Sequence, residues 1–272
     1  MPVISKITAA KKTAGRYHIY LDRSGNDEYS FSVSEDLLVR EQLLKGKELT
    51  ETEVSDLKKQ DEIDRAYQNA VNYISYRMRS VHEVRSYLAD REVPEEEIDS
   101  IIVSLSERGF LDDESFAFSY VRTKRDTAKK GPSLIARELK EKGVDAALIE
   151  RALQEYPYEM QLDDAIRFAE KKQTAYQKES KRKREEKLMQ FLMQKGYSTE
   201  VAKKAVTEAN LENDEETEFA ALQAAAEKVW HKQRNKEGWE KKQKVKQHLY
   251  GKGFPGELIQ RWIEEKEETE EN

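Results

Sequence analysis

The sequence predicts a mainly α protein: tandem three-helix repeats forming an elongated array, preceded by a small N-terminal β-meander with short helices. Three observations predict it. A helix-Gly-helix punctuation recurs as "ELKEKGVDAALIERAL", "FLMQKGYSTEVAKKAV" and "HLYGKGFPGELIQRWI", with a looser copy in "YLADREVPEEEIDSII". The first sixty residues hold three short runs of β-branched and aromatic residues. The hydrophobic fraction is 37% against 38% charged residues over 272 positions, too little apolar side chain for one deep core and suited to thin layers that bury each other's faces.

The elements follow in order. Val3–Ala9, Arg16–Asp22 and Glu28–Ser34 alternate apolar and polar residues and are separated by turn chemistry, "DRSGND" above all, which predicts an antiparallel meander. Ser34 is placed to cap a short helix running to about Leu44, and Thr50 to cap the next. The last leucines before the four turns are Leu88, Leu139, Leu192 and Leu249, spaced 51, 53 and 57 residues apart. An apolar residue follows each by five positions: Val93, Val144, Tyr197 and Phe254. Gly143, Gly196 and Gly253 stand between, where a left-handed helix terminus needs a residue without a Cβ. Glu92 breaks that rule in the first copy, so a turn of different construction is expected there, with Pro94 opening the next helix. Gly15 lies in a loop with no such demand. Acids precede an apolar run upstream of each turn ("QDEIDRAYQNAV", "DDESFAFSYV", "LDDAIRFAEK", "EETEFAALQA"), where they complement a helix dipole. The expected segments are 1–59 for the meander and short helices, then repeats at 60–110, 111–159, 160–211 and 212–272, the last with an acidic tail. A period of this length marks a helical array, about 80 Å long if each unit adds two layers of ~10 Å.

Charge is unevenly distributed on a chain of net −6. Tyr120–Lys140 holds seven bases against two acids, Glu170–Lys187 eight against four, Lys228–Lys246 eight against two and Arg77–Arg91 four against two. Each block falls at the end of a first helix, the joint and the start of a second helix. Stacked units would align them as a basic stripe. The candidate partner-facing residues are Arg77, Arg79 and Arg85; Arg122, Lys124, Arg125, Lys129, Lys130 and Arg137; Lys181, Arg182, Lys183 and Arg184; and Lys241, Lys242 and Lys244. The bland reading, solvated faces of Lys/Glu-rich helices, carries even weight for any one block.

Other motifs carry no chemistry. "GKGFPG" follows a helix, so a turn outweighs a nucleotide site. The four histidines lack ligand spacing, and "DDE" at Asp112–Glu114 is better read as helix-dipole partners than as a metal cluster. No nucleophile or paired-carboxylate pattern stands out; neither catalysis nor a cofactor nor a metal is expected. Phe116, Phe118, Tyr120 and Trp230 are assigned to the core, and Trp239 and Trp262 to packing rather than exposed stacking. Absent cysteine fits a reducing cytoplasm, and no secretory leader or membrane-spanning run is seen. The third helices of the repeats are mostly acidic or neutral, which argues against sequence-specific reading of a DNA groove.

The stretch Arg77–Val144 resembles the RecX family of bacterial recombination regulators. The resemblance lies in Arg79 and Ser80 before a second helix, "ERGFLDDESFA" (Glu107–Ala117) and "KGPSLIARELKEKGV" (Lys130–Val144). It implies tandem three-helix units that bind the RecA recombinase, lodge in the groove of its filament on single-stranded DNA, and restrain strand exchange, ATP hydrolysis and co-protease activity without catalysis of their own. Many members are expected to have three units, though longer members exist, so the fourth here is a departure, and Glu92 a smaller one. The expected partners are RecA and the RecA–single-stranded DNA filament, with direct DNA contact the alternative, for a cytoplasmic monomer.

Overall fold

In the computed structural model, residues 1–11, 13–23, 25–209, 215–233 and 238–271 are described. Three strands, β1 (Val3–Ala9), β2 (Arg16–Asp22) and β3 (Asp27–Ser34), form an antiparallel sheet in sequence order. The register pairs Ile7 with Ile19 and Ile19 with Phe31. The buried face, with Ile4, Ile19, Leu21, Phe31 and Val33, meets Leu37, Leu43, Leu49, Val54 and Leu57 in one core. Ser34 caps α1 (Glu35–Arg40) by accepting the Leu37 N–H, as expected. The helix ends at Arg40 rather than near Leu44; Gln42 turns to φ 49°, which reverses the chain and buries Leu43 while leaving Leu44 outside.

Thr50 then opens α2 (Glu51–Ser75) with a full capping box against Glu53. This helix runs 25 residues without a break. Its start closes the sheet core through Val54 and Leu57, and its second half supplies Ala66 and Ala70 to the first three-helix core. The boundary expected between residues 59 and 60 therefore falls inside a continuous helix. The half-buried Arg16 pairs with buried Asp61 at 2.6 Å and ties β2 to that helix. α3 (Val81–Ala89) and α4 (Glu95–Glu107) complete the unit around Val84, Leu88, Ile98, Ile101 and Leu105.

The pattern continues with α5 (Asp113–Asp126), α6 (Pro132–Glu141) and α7 (Ala146–Leu153). Next come α8 (Tyr158–Gln173), α9 (Lys181–Gln194) and α10 (Thr199–Glu208), then α11 (Glu215–Lys232), α12 (Gly238–Gly251) and α13 (Gly256–Glu271). The last three helices close on Leu222, Ala226, Trp230, Leu249, Ile259 and Trp262. The chain divides into two bodies, residues 1–116 with 142–144, and residues 117–141 with 145–272. The boundary expected between 211 and 212, and Arg234 and Lys236 of the last basic block, lie outside the described residues.

The helix-ending turns match the expectation in geometry. Gly143, Gly196 and Gly253 have φ of 73°, 93° and 83°. The Tyr197 N–H reaches the Leu192 carbonyl at 3.2 Å, and Phe254 reaches Leu249 at 3.2 Å. The first copy departs from expectation: it is built the same way. Glu92 itself adopts φ 61°, Val93 donates to the Leu88 carbonyl at 3.3 Å, and Pro94 is the N-cap of α4 rather than its first residue. Gly15 is a second correction, because its φ of 71° is also left-handed.

The turn glycines serve a second purpose that spacing alone does not reveal. A Cβ on Gly143 would lie 2.4 Å from the His82 Cβ, and one on Gly196 would lie 2.6 Å from the backbone nitrogen of Leu134. Each turn sits against the first turn of an earlier second helix. The fully buried Ser80 hydroxyl donates to the Lys142 carbonyl at 2.7 Å, and Ser180 donates to that of Lys252 at 2.6 Å. Where the cap is Gly131, its N–H takes the Lys195 carbonyl at 2.7 Å. Acids close the same joint: Asp113 accepts the Val81 N–H at 2.9 Å and Glu218 accepts the Lys181 N–H at 3.1 Å. Asp112 accepts the Glu114 N–H and the Ser115 hydroxyl. Two of the three "DDE" acids, Asp112 and Asp113, are thus occupied with helix termini.

Candidate functional site

The candidate bases sit at second-helix starts, in joints and along helix faces, and most engage carboxylates or rings of their own chain. Arg77, exposed, bonds Glu83 at 2.8 Å, and Arg85 pairs with Asp99. Arg79 is mostly buried, its guanidinium 3.9 Å from the Tyr73 ring centre. Tyr73 stacks on Tyr87 at 4.0 Å with an 8° tilt, and Arg91 covers Tyr87 at 3.6 Å. This four-layer stack of cation, ring, ring and cation was missed. The Tyr87–Arg91 half was visible at i, i+4; the Arg79–Tyr73 half crosses a joint and left no local signal.

In the next block, Arg122 forks onto Glu155, which holds that carboxyl below its usual range and raises the guanidinium. Arg125 donates to the Glu155 carbonyl at 2.9 Å and to Asp126 at 2.7 Å. Lys124 lies over Tyr120 at 5.1 Å, and Lys130 pairs with Glu138, which also accepts the Tyr120 hydroxyl. Lys129 turns at φ 49° toward the buried Asp164, 3.5 Å away. Asp164 accepts the Tyr156 hydroxyl at 3.0 Å, and the Tyr156 and Tyr197 oxygens lie 3.1 Å apart. Burial raises both phenols, Tyr197 to about 12, so both remain protonated at neutral pH. Arg137 is well exposed, within 3.8 Å of Glu141.

On α9, Lys181, Arg182 and Lys183 are exposed, the last two close to Glu186. Arg184 overturns its assignment to the stripe. It is 1% exposed, and with Leu188 and Leu192 it forms the inward face of α9 at four-residue spacing, so it cannot meet a partner. On α12, Lys241 caps the Trp230 ring at 3.8 Å, Lys242 pairs with Glu267, and Lys244 is exposed. Trp262 packs edge-on against Trp230 as expected. Trp239 does not pack: it is 74% exposed at the start of α12. The field of these blocks is therefore weaker than their base count, and seven candidates remain well exposed: Arg77, Arg122, Arg137, Lys181, Arg182, Lys183 and Lys244.

One ion cluster has a pH consequence. Burial works to raise the Glu83 carboxyl, but bonds from Arg77, Lys142 at 3.0 Å and the Ser80 N–H outweigh it and hold it at about 2 against an ordinary 4.5. A carboxyl depressed on folding stabilises fully above its unfolded value and loses that contribution as pH falls toward the folded one. Stability should fall between pH of about 5 and about 2, and Glu83→Gln should flatten the fall. Urea midpoints across that window measure it; parallel curves for the two proteins would remove Glu83 as the cause.

The RecX N-terminal domain pattern matches residues 2–50, the RecX first three-helix domain 66–105 and the second 112–153. The third three-helix domain matches twice, at 159–206 and 216–263. The chain belongs to the RecX family. Regulatory protein RecX of Halalkalibacterium halodurans is 39% identical over 264 residues, covering 97% of this chain and 99% of that one. The Bacillus cytotoxicus protein of the same name is 38% identical over 266 residues, 98% of each. A crystal structure of a regulatory protein RecX superimposes with a TM-score of 0.65 at 36% identity, covering 76% of this chain and all of that one. RecX from Lactobacillus salivarius gives 0.53 at 34% identity, with 55% and 97% covered. The fourth unit is thus a second RecX third-domain pattern, and these two relatives match this chain over nearly its whole length. Among the described residues no helix is long and apolar enough to cross a membrane.

Proposed function

We propose that the chain binds the RecA recombinase filament on single-stranded DNA and restrains its strand-exchange, ATPase and co-protease activities, acting by occupancy rather than catalysis. The observation that carries this reading is the family match, which runs through the N-terminal domain and all four three-helix units. The repeated joint supports it: a chain extended by one recurring contact suits a partner that is itself a polymer. In this reading the chain works in the cytoplasm as a monomer, and the exposed bases on second helices and joints are the groups that meet the nucleoprotein surface. The test is binding to RecA-coated and bare single-stranded DNA at one fixed salt concentration. Preference for the coated strand, with slowed strand exchange, is expected. Equal affinity for both strands would favour a non-specific nucleic-acid-binding protein whose bases contact phosphates directly.

A further inference from the structure

The N-terminal sheet has one face that its core does not use. On the inner face, rows such as Ile7, Ile19 and Phe31 pack with Leu37, Val54 and Leu57 of α1 and α2. Side chains alternate across a strand, so the neighbouring rows point the other way. One outward row is Lys6, Tyr20 and Tyr29, and the next is Thr8, His18 and Ser32. The pairing of β2 with β3 skips Ser30, which puts Tyr29 instead of Ser30 opposite Tyr20. A bulge re-aims side chains in this way.

The rings of this face are held by one another. Tyr20 and Tyr29 meet edge to face with centres 6.0 Å apart, and His18 meets Tyr29 the same way at 5.7 Å. The buried Ser32 hydroxyl lies 3.0 Å from the Tyr29 hydroxyl and 2.7 Å from the His18 Nδ1. The Lys6 ammonium stands over the Tyr20 ring, 5.5 Å from its centre. Tyr29 is nevertheless 58% exposed. Cross-strand aromatic pairs do stabilise sheets, but a ring left this open gains little from burial. Its fixed neighbours also lower the ordering cost that a ligand would have to meet.

The chemistry of the face selects that ligand. Exposed rings offer flat surfaces on which unpaired bases stack whatever their sequence, and a cation beside them suits the phosphate backbone. The two outward rows hold Lys6 and His18 and no acid. The row beyond Tyr20, at the β2–β3 turn, sets Asp22 opposite Asp27 and would repel phosphates. The β1–β2 turn at the other end begins with the exposed Lys11. We propose that this face binds single-stranded DNA, with bases stacked on Tyr29 and Tyr20 and the backbone running past Lys6 toward the β1–β2 turn. The choice of DNA rests on the proposed function. The stacking surface is separate from the second-helix bases and can be tested without RecA.

The experiment is fluorescence anisotropy of a labelled oligothymidine with the full chain at one low, fixed salt concentration, with circular dichroism to verify folding. A second probe of equal length keeps the phosphates and replaces the bases by abasic sites. Wild type should bind oligothymidine about tenfold more tightly than the abasic strand. Tyr29→Thr, which keeps a strand-forming residue, should lose most of that preference, and Tyr29→Phe should retain it. Lys6→Gln should weaken both probes alike. On irradiation, a strand carrying bromouracil should cross-link to the peptide that holds Tyr29. The proposal fails if wild type binds neither probe, or binds both equally, since phosphate contacts alone would then account for the affinity. It also fails if folded Tyr29→Thr keeps the preference, and loss of RecA-filament binding in that same variant would mark the face as a protein surface instead. It fails again if the cross-links map to the helical repeats. Only bare strands are used, so failure here leaves the filament reading standing.

Discussion

Replacing Gly196 with alanine will destabilise the protein far more than the same change at Gly15, although both glycines hold a left-handed backbone. At Gly15, with φ 71°, no atom lies within 4 Å of an added Cβ. That variant measures conformational strain alone, about 1–2 kcal/mol. At Gly196, with φ 93°, the methyl would meet the Leu134 Cβ and backbone nitrogen at 2.6 Å and the Gly131 carbonyl oxygen at 3.0 Å. Two of these three are main-chain atoms near the start of α6. They cannot rotate away, and retreat would break the bonds from Gly131 N–H to the Lys195 carbonyl and from Ser133 N–H to the Gly196 carbonyl. Overpacking against well-packed neighbours adds about 1–3 kcal/mol. The difference between the variants should reach about 2 kcal/mol, or several degrees in melting temperature. Gly143→Ala should cost about as much as Gly196→Ala, because its methyl would meet the His82 Cβ at 2.4 Å, an atom fixed by the α3 backbone that no side-chain rotation moves. Equal melting temperatures for Gly15→Ala and Gly196→Ala would show that the joint yields, and the close approach would not be what selects glycine.

This contrast also marks what was legible in the sequence. The turns were readable because a left-handed terminus leaves a local trace, Leu, Gly and an apolar residue at fixed offsets. Caps such as Ser34 and Thr50 were readable for the same reason. The contact that makes glycine compulsory was not, since Gly196 meets Leu134 and Gly131 across more than sixty residues. Glu92 is the informative exception: it meets the backbone demand at a strain cost and stands beside a cleft rather than a helix N-terminus. The continuity of α2 was hidden because Gln60–Asp64 looks like a fresh acidic helix start, whereas Asp61 is buried against Arg16. The basic blocks were readable as composition but not as surface. Counting bases could not distinguish Arg184, on the inward face of α9, from Arg182, two residues earlier and exposed. The Tyr156–Asp164–Tyr197 network left no trace at all, because Tyr156 precedes α8, Asp164 lies inside it and Tyr197 follows α9, and only folding brings the three together.

The exposed bases carry the largest functional effect expected. Arg137→Glu, Lys183→Glu and Lys244→Glu together should weaken binding to the RecA filament, and inhibition of strand exchange, by tenfold or more, with helical content intact. These three are chosen by what they touch. Arg137 is 3.8 Å from Glu141 and Lys183 is 3.0 Å from Glu186, both exposed pairs within one helix that contribute little to folding. Lys244 is exposed on α12. Arg125 and Lys130 fall in the same blocks but are unsuitable. The first holds the Glu155 carbonyl and the second Glu138, both half-buried, so reversing them would place like charges together where water screens poorly. Each reversal replaces an attraction to a polyanionic surface with a repulsion, and three such changes readily pass the 1.4 kcal/mol that a factor of ten requires. The loss should shrink as salt rises, because the charges are screened over about 10 Å at 0.1 M before docking. Lys203→Glu with Lys204→Glu is the control: both are exposed on α10, a third helix, outside the basic blocks. If the control weakens inhibition as much as the triple variant, only net charge matters and the second-helix faces hold no privilege. If neither variant changes binding at low salt, the filament is held through groups other than these bases, and the family contact must run through apolar or backbone surface instead.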